Sequence, residues 1–275
     1  MKKYLSFFRL RFLMGLQYRT AALAGIVTQF AWGGMEILVY KAFYEADANA
    51  FPMSFSATAS YIWMQQAFLA FFAAWMLENE IFDNIVNGNI AYELCRPLNI
   101  YHMWFSRSIA NRLSKAVLRC FPILIVAAFL PSPYRLCMPA SFFHFLLFVI
   151  TLLLGLAVTV SFCMLVYSLT FFTISPQGLR MLFTTSVELL EFMNVLTDGA
   201  REYGKYPVSI YGKRMLQFTT FVIPYALVQY YPLLYILDKS TNRFYIFLPL
   251  FAILFLLPCY CLWKFGIHKY TSSGS

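Results

Sequence analysis

Apolar stretches close to the length of a bilayer crossing recur along this 275-residue chain, and they constrain its fold more than any other feature. A helix needs about 20 apolar residues to cross the hydrocarbon core of a membrane. Hydrophobic residues make up 61% of the chain and charged residues 12%, whereas a soluble domain carries about 25% charged residues. We therefore expect an all-α, polytopic membrane protein that forms a single transmembrane domain over residues 1–275.

Six stretches are predicted to span the membrane: residues 21–44, 57–76, 101–130, 141–172, 181–196 and 242–264. Residues 217–237 are also apolar, but Pro224 and Pro232 interrupt them. Freed backbone groups need partners in lipid, so we expect a re-entrant segment here, within an outer-side loop of residues 198–237. The alternative, a full span, would give seven crossings and move the C-terminus to the outside.

Basic residues predict the orientation of the chain. Residues 1–20 interleave basic and large apolar side chains, a pattern typical of an amphipathic helix that lies in the membrane interface beside anionic lipid headgroups. With this segment inside and six crossings, the side that holds both termini carries the greater share of Lys and Arg, which predicts cytoplasmic termini. The net charge of +9 lies beside apolar spans, so membrane topology explains it without a nucleic-acid partner.

Motifs for catalysis do not occur in the sequence. It contains no GxxxxGK[ST] phosphate-binding loop, no HExxH and no GxSxG. Its six cysteines form no CxxC pair, and its three histidines are scattered. We therefore predict that the chain is not an enzyme and holds no metal ion or cofactor. An integral membrane enzyme acting on lipids is an alternative that rests only on the presence of His102 and His144.

A polar segment, residues 77–99, separates the second and third predicted spans. Ile85, Ile90 and Leu94 recur at spacings that put them on one side of two short helices, and Gly88 permits a break between those helices. A short amphipathic helix lies on the membrane or docks into a groove on a partner. Because the segment is acidic, contact with anionic lipid is disfavoured and docking on a protein is the preferred interpretation.

From Gly88 to Asn99 the segment reads GNIAYELCRPLN. It resembles the G-x-I-x-x-x-L-x-R-P-L-N signature of a family of ABC exporter permeases of the second type. The basic N-terminal helix, the six spans and the proline-interrupted segment before the last span also fit that family. We expect no fused ATPase here, in contrast to better-known exporters of this type, because the sequence contains no phosphate-binding loop.

This resemblance implies the transmembrane permease subunit of an ATP-driven exporter in the plasma membrane. The loop between the second and third spans would be a coupling helix that docks on a separate nucleotide-binding ATPase subunit, present in two copies. A second permease subunit, identical or related, would complete the pathway, and ATP and magnesium would bind to the ATPase. The coupling residues on this chain would be Asp83, Ile85, Gly88, Ile90, Glu93, Leu94, Arg96 and Pro97.

Charged residues inside the predicted spans form a second set of candidates: Glu36, Arg112, Lys115, Arg119, Glu188 and Glu191. Charges at membrane depth are costly unless they are paired or face water. They would therefore line the pathway, or the cations of the third span would pair with the carboxylates of the fifth. The alternative function is an ion- or proton-coupled secondary transporter that uses the carboxylates as proton sites and needs no ATPase.

Overall fold

A computed structural model describes residues 2–46, 54–72, 77–137, 139, 141–172 and 248–269. Over these ranges the chain is helical and contains no strand, which confirms the prediction of an all-α protein for this part. The helices are α1 (Lys2–Leu16), α2 (Arg19–Ala46), α3 (Phe55–Ala67), α4 (Leu69–Phe72), α5 (Asn79–Val86), α6 (Ile90–Leu94), α7 (Ile100–Phe129), α8 (Phe142–Leu169) and α9 (Leu248–Lys269), with a 3₁₀ turn at Thr170–Phe172.

Two of these helices are long and apolar enough to cross a membrane. They are α2, with 28 residues, and α8, which reaches 31 residues with its 3₁₀ turn. At 1.5 Å per residue, each is longer than the hydrocarbon core is thick, about 30 Å. Helix α7 is equally long at 30 residues but carries four basic side chains. The number of crossings, six, stays a prediction.

The second predicted span is divided into two helices. Helix α3 ends at Ala67, and Phe68 has φ −97° and ψ 14°, outside the helical region. The Phe68 ring packs against Phe148 of α8, with ring centroids 5.5 Å apart, and against Phe71 at 5.9 Å. Aromatic packing against α8 therefore accompanies a break that hydrophobicity alone does not predict.

Several predictions fall outside the described residues. These are the fifth span, residues 181–196, with Glu188 and Glu191, and the outer-side loop with its re-entrant segment, residues 198–237. The last predicted span, residues 242–264, overlaps α9, which continues through Pro258 to Lys269.

Helix α1 packs lengthwise on the first half of α7. The backbone N–H of Asn99 donates to Tyr4 Oη at 2.9 Å. Farther along both helices, a Cβ added to Gly15 would lie only 2.1 Å from Ser114 Oγ, so the two backbones approach closely here. Because these contacts advance together along the two helices, α1 and α7 run in the same direction. The other face of α1 exposes large apolar side chains, among them Leu5, Leu10 and Leu13.

Helix α9 ends beside the beginning of α7 and the end of α8. The Trp263 ring lies 5.1 Å from the Trp104 ring and 5.2 Å from the Phe171 ring, centroid to centroid. We call this end of the molecule, where residues 77–99 also lie, the loop end. At the opposite end, the turn end, residues 131–137 cover the beginning of α3, and Trp63 Nε1 donates to the Tyr134 carbonyl oxygen at 3.0 Å.

Candidate functional site

The candidate site is built on the two short helices between α4 and α7. Helix α5 covers Asn79–Val86 and α6 covers Ile90–Leu94. The break falls at Gly88, where the sequence places it, and Gly88 has φ +73°. This left-handed conformation is readily adopted by glycine and costs other residues free energy.

The inner face of the segment is packed into the chain itself. Ile81, Phe82, Ile85 and Ile90 are all buried and belong to the main hydrophobic core. The Phe82 ring makes an edge contact with Tyr167 of α8 at a centroid distance of 5.1 Å. Ile85 and Ile90 are therefore unavailable to a partner in this structure, and the expectation that they share a partner-facing side with Leu94 has to be corrected. Helical spacing marks an apolar face but does not say what covers it.

The outer face of the segment carries a different set of side chains. Tyr92 is 76% exposed and Leu94 48% exposed. Together with other exposed residues they form what we call the outer face of the loop: Asp83, Val86, Tyr92, Leu94, Arg96 and Pro97. This face combines apolar, aromatic and charged groups and is open to a partner.

Glu93 holds the segment together from within. One carboxylate oxygen accepts a hydrogen bond from Trp104 Nε1 of α7 at 2.7 Å, and the other accepts from Asn84 Nδ2 of α5 at 3.2 Å. Hydrogen bonds to a carboxylate are among the stronger ones in proteins. We expected Glu93 to be a coupling residue, and the structure gives it intramolecular partners on two helices.

A buried arginine, Arg107, joins the beginning of the segment to α7. Its side chain is 5% exposed, and its Nε lies 2.5 Å from Glu78 Oε2 in an ion pair without hydrogen-bond alignment. Its Nη2 contacts the Glu80 carboxylate. Glu78 also accepts from Ser108 Oγ at 3.1 Å, and its backbone N–H donates to Tyr167 Oη at 2.8 Å. The segment is thus tied by charge to α7 and by a hydrogen bond to α8.

The same network reaches α1. Arg11 Nη2 lies 3.8 Å from Glu80 Oε1. Our sequence analysis singled out neither Arg107 nor Arg11. Arg107 lies about two helical turns before Lys115 on one side of α7, and that register could have pointed to it. Its partners, however, come from another element, and the sequence gives no sign of that pairing.

The charged residues predicted to lie inside the membrane spans are found in different parts of the structure. Glu36 Oε2 accepts from Gln66 Nε2 at 3.1 Å, which links α2 to α3. Arg112 Nη2 donates to Cys163 Sγ of α8 at 3.2 Å. Lys115 and Arg119 line a cavity on another side of α7. Of these three candidate cations of α7, Arg112 therefore faces α8, whereas Lys115 and Arg119 share one cavity. Their predicted ion pairs with Glu188 and Glu191 lie outside the described residues.

The cavity has a volume of about 440 Å³ and lies between α1, the beginning of α2 and α7. We call it the cationic cavity, because four of its lining residues are basic: Arg11, Arg107, Lys115 and Arg119. Glu80 also lines it, so the cavity adjoins the ion-pair network of the loop end.

The two histidines named for the lipid-enzyme alternative do not meet. His102 is at the loop end, where its ring lies 5.9 Å from the Tyr4 ring. His144 begins α8 at the turn end, with Nδ1 3.2 Å from Ser141 Oγ. They therefore do not form one site.

Comparison with known proteins gives one match. A family model described as "ABC-2 family transporter protein" matches residues 30–274. No curated protein and no solved structure matches the chain. The matched range contains the whole segment between α4 and α7, most of α2 and all basic residues of α7, whereas α1 precedes it.

Proposed function

This chain belongs to the ABC-2 family of transporter proteins, and on that premise we propose that it is the permease subunit of an ATP-driven exporter. Membership makes it a membrane transport subunit of an ABC system. We further propose a separate ATPase subunit in two copies, a second permease subunit, identical or related, and a location in the plasma membrane with both termini inside. In this assembly ATP and magnesium bind to the ATPase, and this chain holds no cofactor.

The proposal rests on the exposed side chains that form the outer face of the loop. Its exposed Tyr92 and Arg96 are of residue types that are enriched at the centres of protein interfaces, and the exposed Leu94 adds apolar surface beside them. The base beneath it is fixed, because Ile81 and Ile90 are fully buried and Glu93 hydrogen-bonds to α7. A rigid base allows a force applied to the outer face to reach the spanning helices.

The mechanism that we propose is mechanical. ATP closes the ATPase dimer, and the docked loop moves with it. Arg107 passes the displacement from Glu78 and Glu80 to α7, and Arg11 passes it from Glu80 to α1. The helices then favour an arrangement that opens the pathway outward, because the nucleotide binds one conformation better than the other.

Membership of an ABC family favours this mechanism over the ion-coupled alternative. The two functions differ in what drives transport. A secondary transporter would move substrate in vesicles that contain this chain alone and an ion gradient. An ATP-driven permease would require its ATPase and ATP, and neutralising Glu36 to Gln would leave it powered by ATP.

Substitutions on the outer face of the loop test the coupling role. Tyr92→Ala combined with Leu94→Asp should abolish binding of the ATPase subunit and stimulation of its activity, with membrane insertion intact. The matched control is Phe129→Ala, which removes an 87% exposed ring at the turn end and should leave both unchanged. Normal binding and cycling of the ATPase with the double variant would contradict the coupling role.

Labelling from outside intact cells tests the orientation. On a background without the native cysteines, Asn87→Cys at the loop end should resist a membrane-impermeant thiol reagent. Arg135→Cys, exposed at the turn end, should react with it. Labelling at position 87 from outside would overturn the proposed topology.

A further inference from the structure

The cationic cavity is a second site, distinct from the outer face of the loop. Its volume, about 440 Å³, falls in the range typical of sites for small organic ligands, about 300–1,000 Å³. Its lining is mixed. It contains basic groups of α1 and α7 together with apolar side chains, among them Met14, Ala22 and Leu118.

Charge is unevenly balanced within the cavity. Arg11 and Arg107 contact the carboxylates of Glu78 and Glu80. Among the described residues, no carboxylate lies within ion-pair distance of the remaining two cations, Lys115 and Arg119. Two positive charges therefore line the cavity without an ion-pair partner from the described part of the chain.

Arg119 lies close against α2, and its Nε donor is unsatisfied in the described part of the chain. A Cβ added to Gly25 would lie 2.4 Å from Arg119 Cζ, so the guanidinium lies directly against the backbone of α2. Its Nε is buried and has no hydrogen-bond partner in the described part of the chain. Leaving a buried charged donor unsatisfied is costly, and a bound anion with several acceptor oxygens would remove that cost.

We propose that the cationic cavity binds the phosphate-bearing headgroup of an amphiphile. Lys115 and Arg119 contact the phosphate oxygens, because guanidinium and ammonium groups are the usual phosphate ligands among side chains. The apolar side chains of Met14 and Leu118 contact the glycerol and first acyl carbons. This inference does not depend on ATPase coupling, and it can be tested on this chain alone.

Three probes distinguish a lipid from a soluble phosphate compound. The purified full-length chain in detergent is titrated with short-chain phosphatidylglycerol, with phosphatidylcholine of the same acyl chains, and with inorganic phosphate. Native mass spectrometry counts bound molecules and thermal unfolding gives the affinity. We expect saturable binding of one phosphatidylglycerol per chain, much weaker binding of phosphatidylcholine, and no competition by inorganic phosphate at matched concentration. Equal competition by inorganic phosphate would assign the site to a soluble phosphate compound and overturn the amphiphile.

Paired substitutions locate the binding. Lys115→Gln combined with Arg119→Gln should weaken phosphatidylglycerol binding about tenfold or more, since one charge-assisted hydrogen bond contributes about that factor. The matched control, Lys3→Gln combined with Arg9→Gln, also removes one lysine and one arginine, but from exposed positions of α1 outside the cavity. It should retain the saturable site.

Two further variants distinguish loss of the binding site from a general loss of the fold. Lys115→Gln alone changes an exposed side chain and should weaken binding without changing thermal stability. Arg119→Lys keeps the charge and should restore much of the affinity lost in Arg119→Gln. Equal binding of phosphatidylcholine, unchanged binding by the double variant, or no saturable binding in the native chain would each overturn the proposal.

Discussion

The loop end and the turn end of this molecule are held together by different chemistry. At the loop end, Arg107 is buried between Glu78 and Glu80, and the Glu93 carboxylate accepts from Trp104. At the turn end, aromatic rings pack between the elements, and several neutral hydrogen bonds join them. Trp63 donates to a backbone carbonyl, and charge plays no part in that contact.

Neutral contacts recur across the turn end. The backbone N–H of Cys137 donates to Ser60 Oγ at 2.7 Å, and Ser60 Oγ donates to the carbonyl oxygen of Ser56 at 2.9 Å. The hydroxyl groups of Tyr44 and Thr58 lie 2.8 Å apart. Each such hydrogen bond contributes about 0.5–1.5 kcal/mol on balance, so the turn end can loosen one contact at a time.

The loop end cannot loosen in that way. Separating one buried charge from its partner costs several kcal/mol, about 3–5 where it has been measured. A displacement of the loop must therefore carry Glu78, Glu80 and Arg107 together, or replace all of their contacts at once. Force applied at the loop end is therefore transmitted as a concerted movement of the segment and α7. At the turn end, each hydrogen bond can break independently of the others.

Among the variants considered, Arg107→Ala should lower the free energy of unfolding most. It leaves Glu78, which is largely buried, without its cation, and we expect the free energy of unfolding to fall by about 3–5 kcal/mol, toward the lower value because Glu80 is more than half exposed. Thermal and denaturant unfolding of the purified chain, followed by helical circular dichroism, measures the loss. Arg107→Lys, which keeps the charge, should lose less. A loss below about 1 kcal/mol, the size of a surface pair, would show that the network is not a structural unit.

Trp104→Phe should have the next largest effect. The substitution keeps an aromatic ring in the core but removes the donor to the Glu93 carboxylate. Hydrogen bonds to charged groups contribute about 1.5–3 kcal/mol, so we expect a loss of that size in the same unfolding assay. Trp104→Phe combined with Glu93→Gln should lose less than the sum of the two single variants, because they share one contact. Strict additivity would contradict the assigned hydrogen bond.

Trp63→Phe makes the same chemical change at the turn end. Trp63 donates to the neutral carbonyl of Tyr134 at 3.0 Å and packs against Phe30. We expect a loss of about 0.5–1.5 kcal/mol, the contribution of a neutral hydrogen bond. The two tryptophan variants together measure the difference between the ends directly. If Trp63→Phe were the more destabilising of the two, the contrast between charged and neutral ends would be wrong.

Sequence reasoning succeeded where one property decides the outcome. Helices α2 and α8 follow from long apolar runs, and the end of α7 follows from Pro131 directly after Leu130. The break at Gly88 follows from the freedom of glycine at positive φ. The all-α class and the transporter family were likewise predicted from hydrophobic patterning and from the motif GNIAYELCRPLN.

Sequence reasoning failed where a side chain's role depends on which other element packs against it. Ile85 and Ile90 have the spacing of an amphipathic face, but the chain's own core covers them, and Tyr92 is left outside. Arg107 finds its carboxylates on a neighbouring element. The cationic cavity likewise forms only because α1 docks on α7, which periodicity within either helix does not encode.

Lys41→Ala should have the smallest effect. Lys41 and Glu45 form an ion pair one helical turn apart at the end of α2, with Nζ 3.7 Å from Oε1, and their side chains are 45% and 68% exposed. Water screens such a pair, and holding two long side chains in one geometry costs conformational entropy, so exposed pairs of this spacing contribute little to stability. Alanine also favours the helix, which offsets part of that loss. We therefore expect the unfolding midpoint of Lys41→Ala to match that of the native chain, at low and at high salt. A loss as large as that of Arg107→Ala would mean that position, and not burial, sets the strength of the ion pairs in this protein.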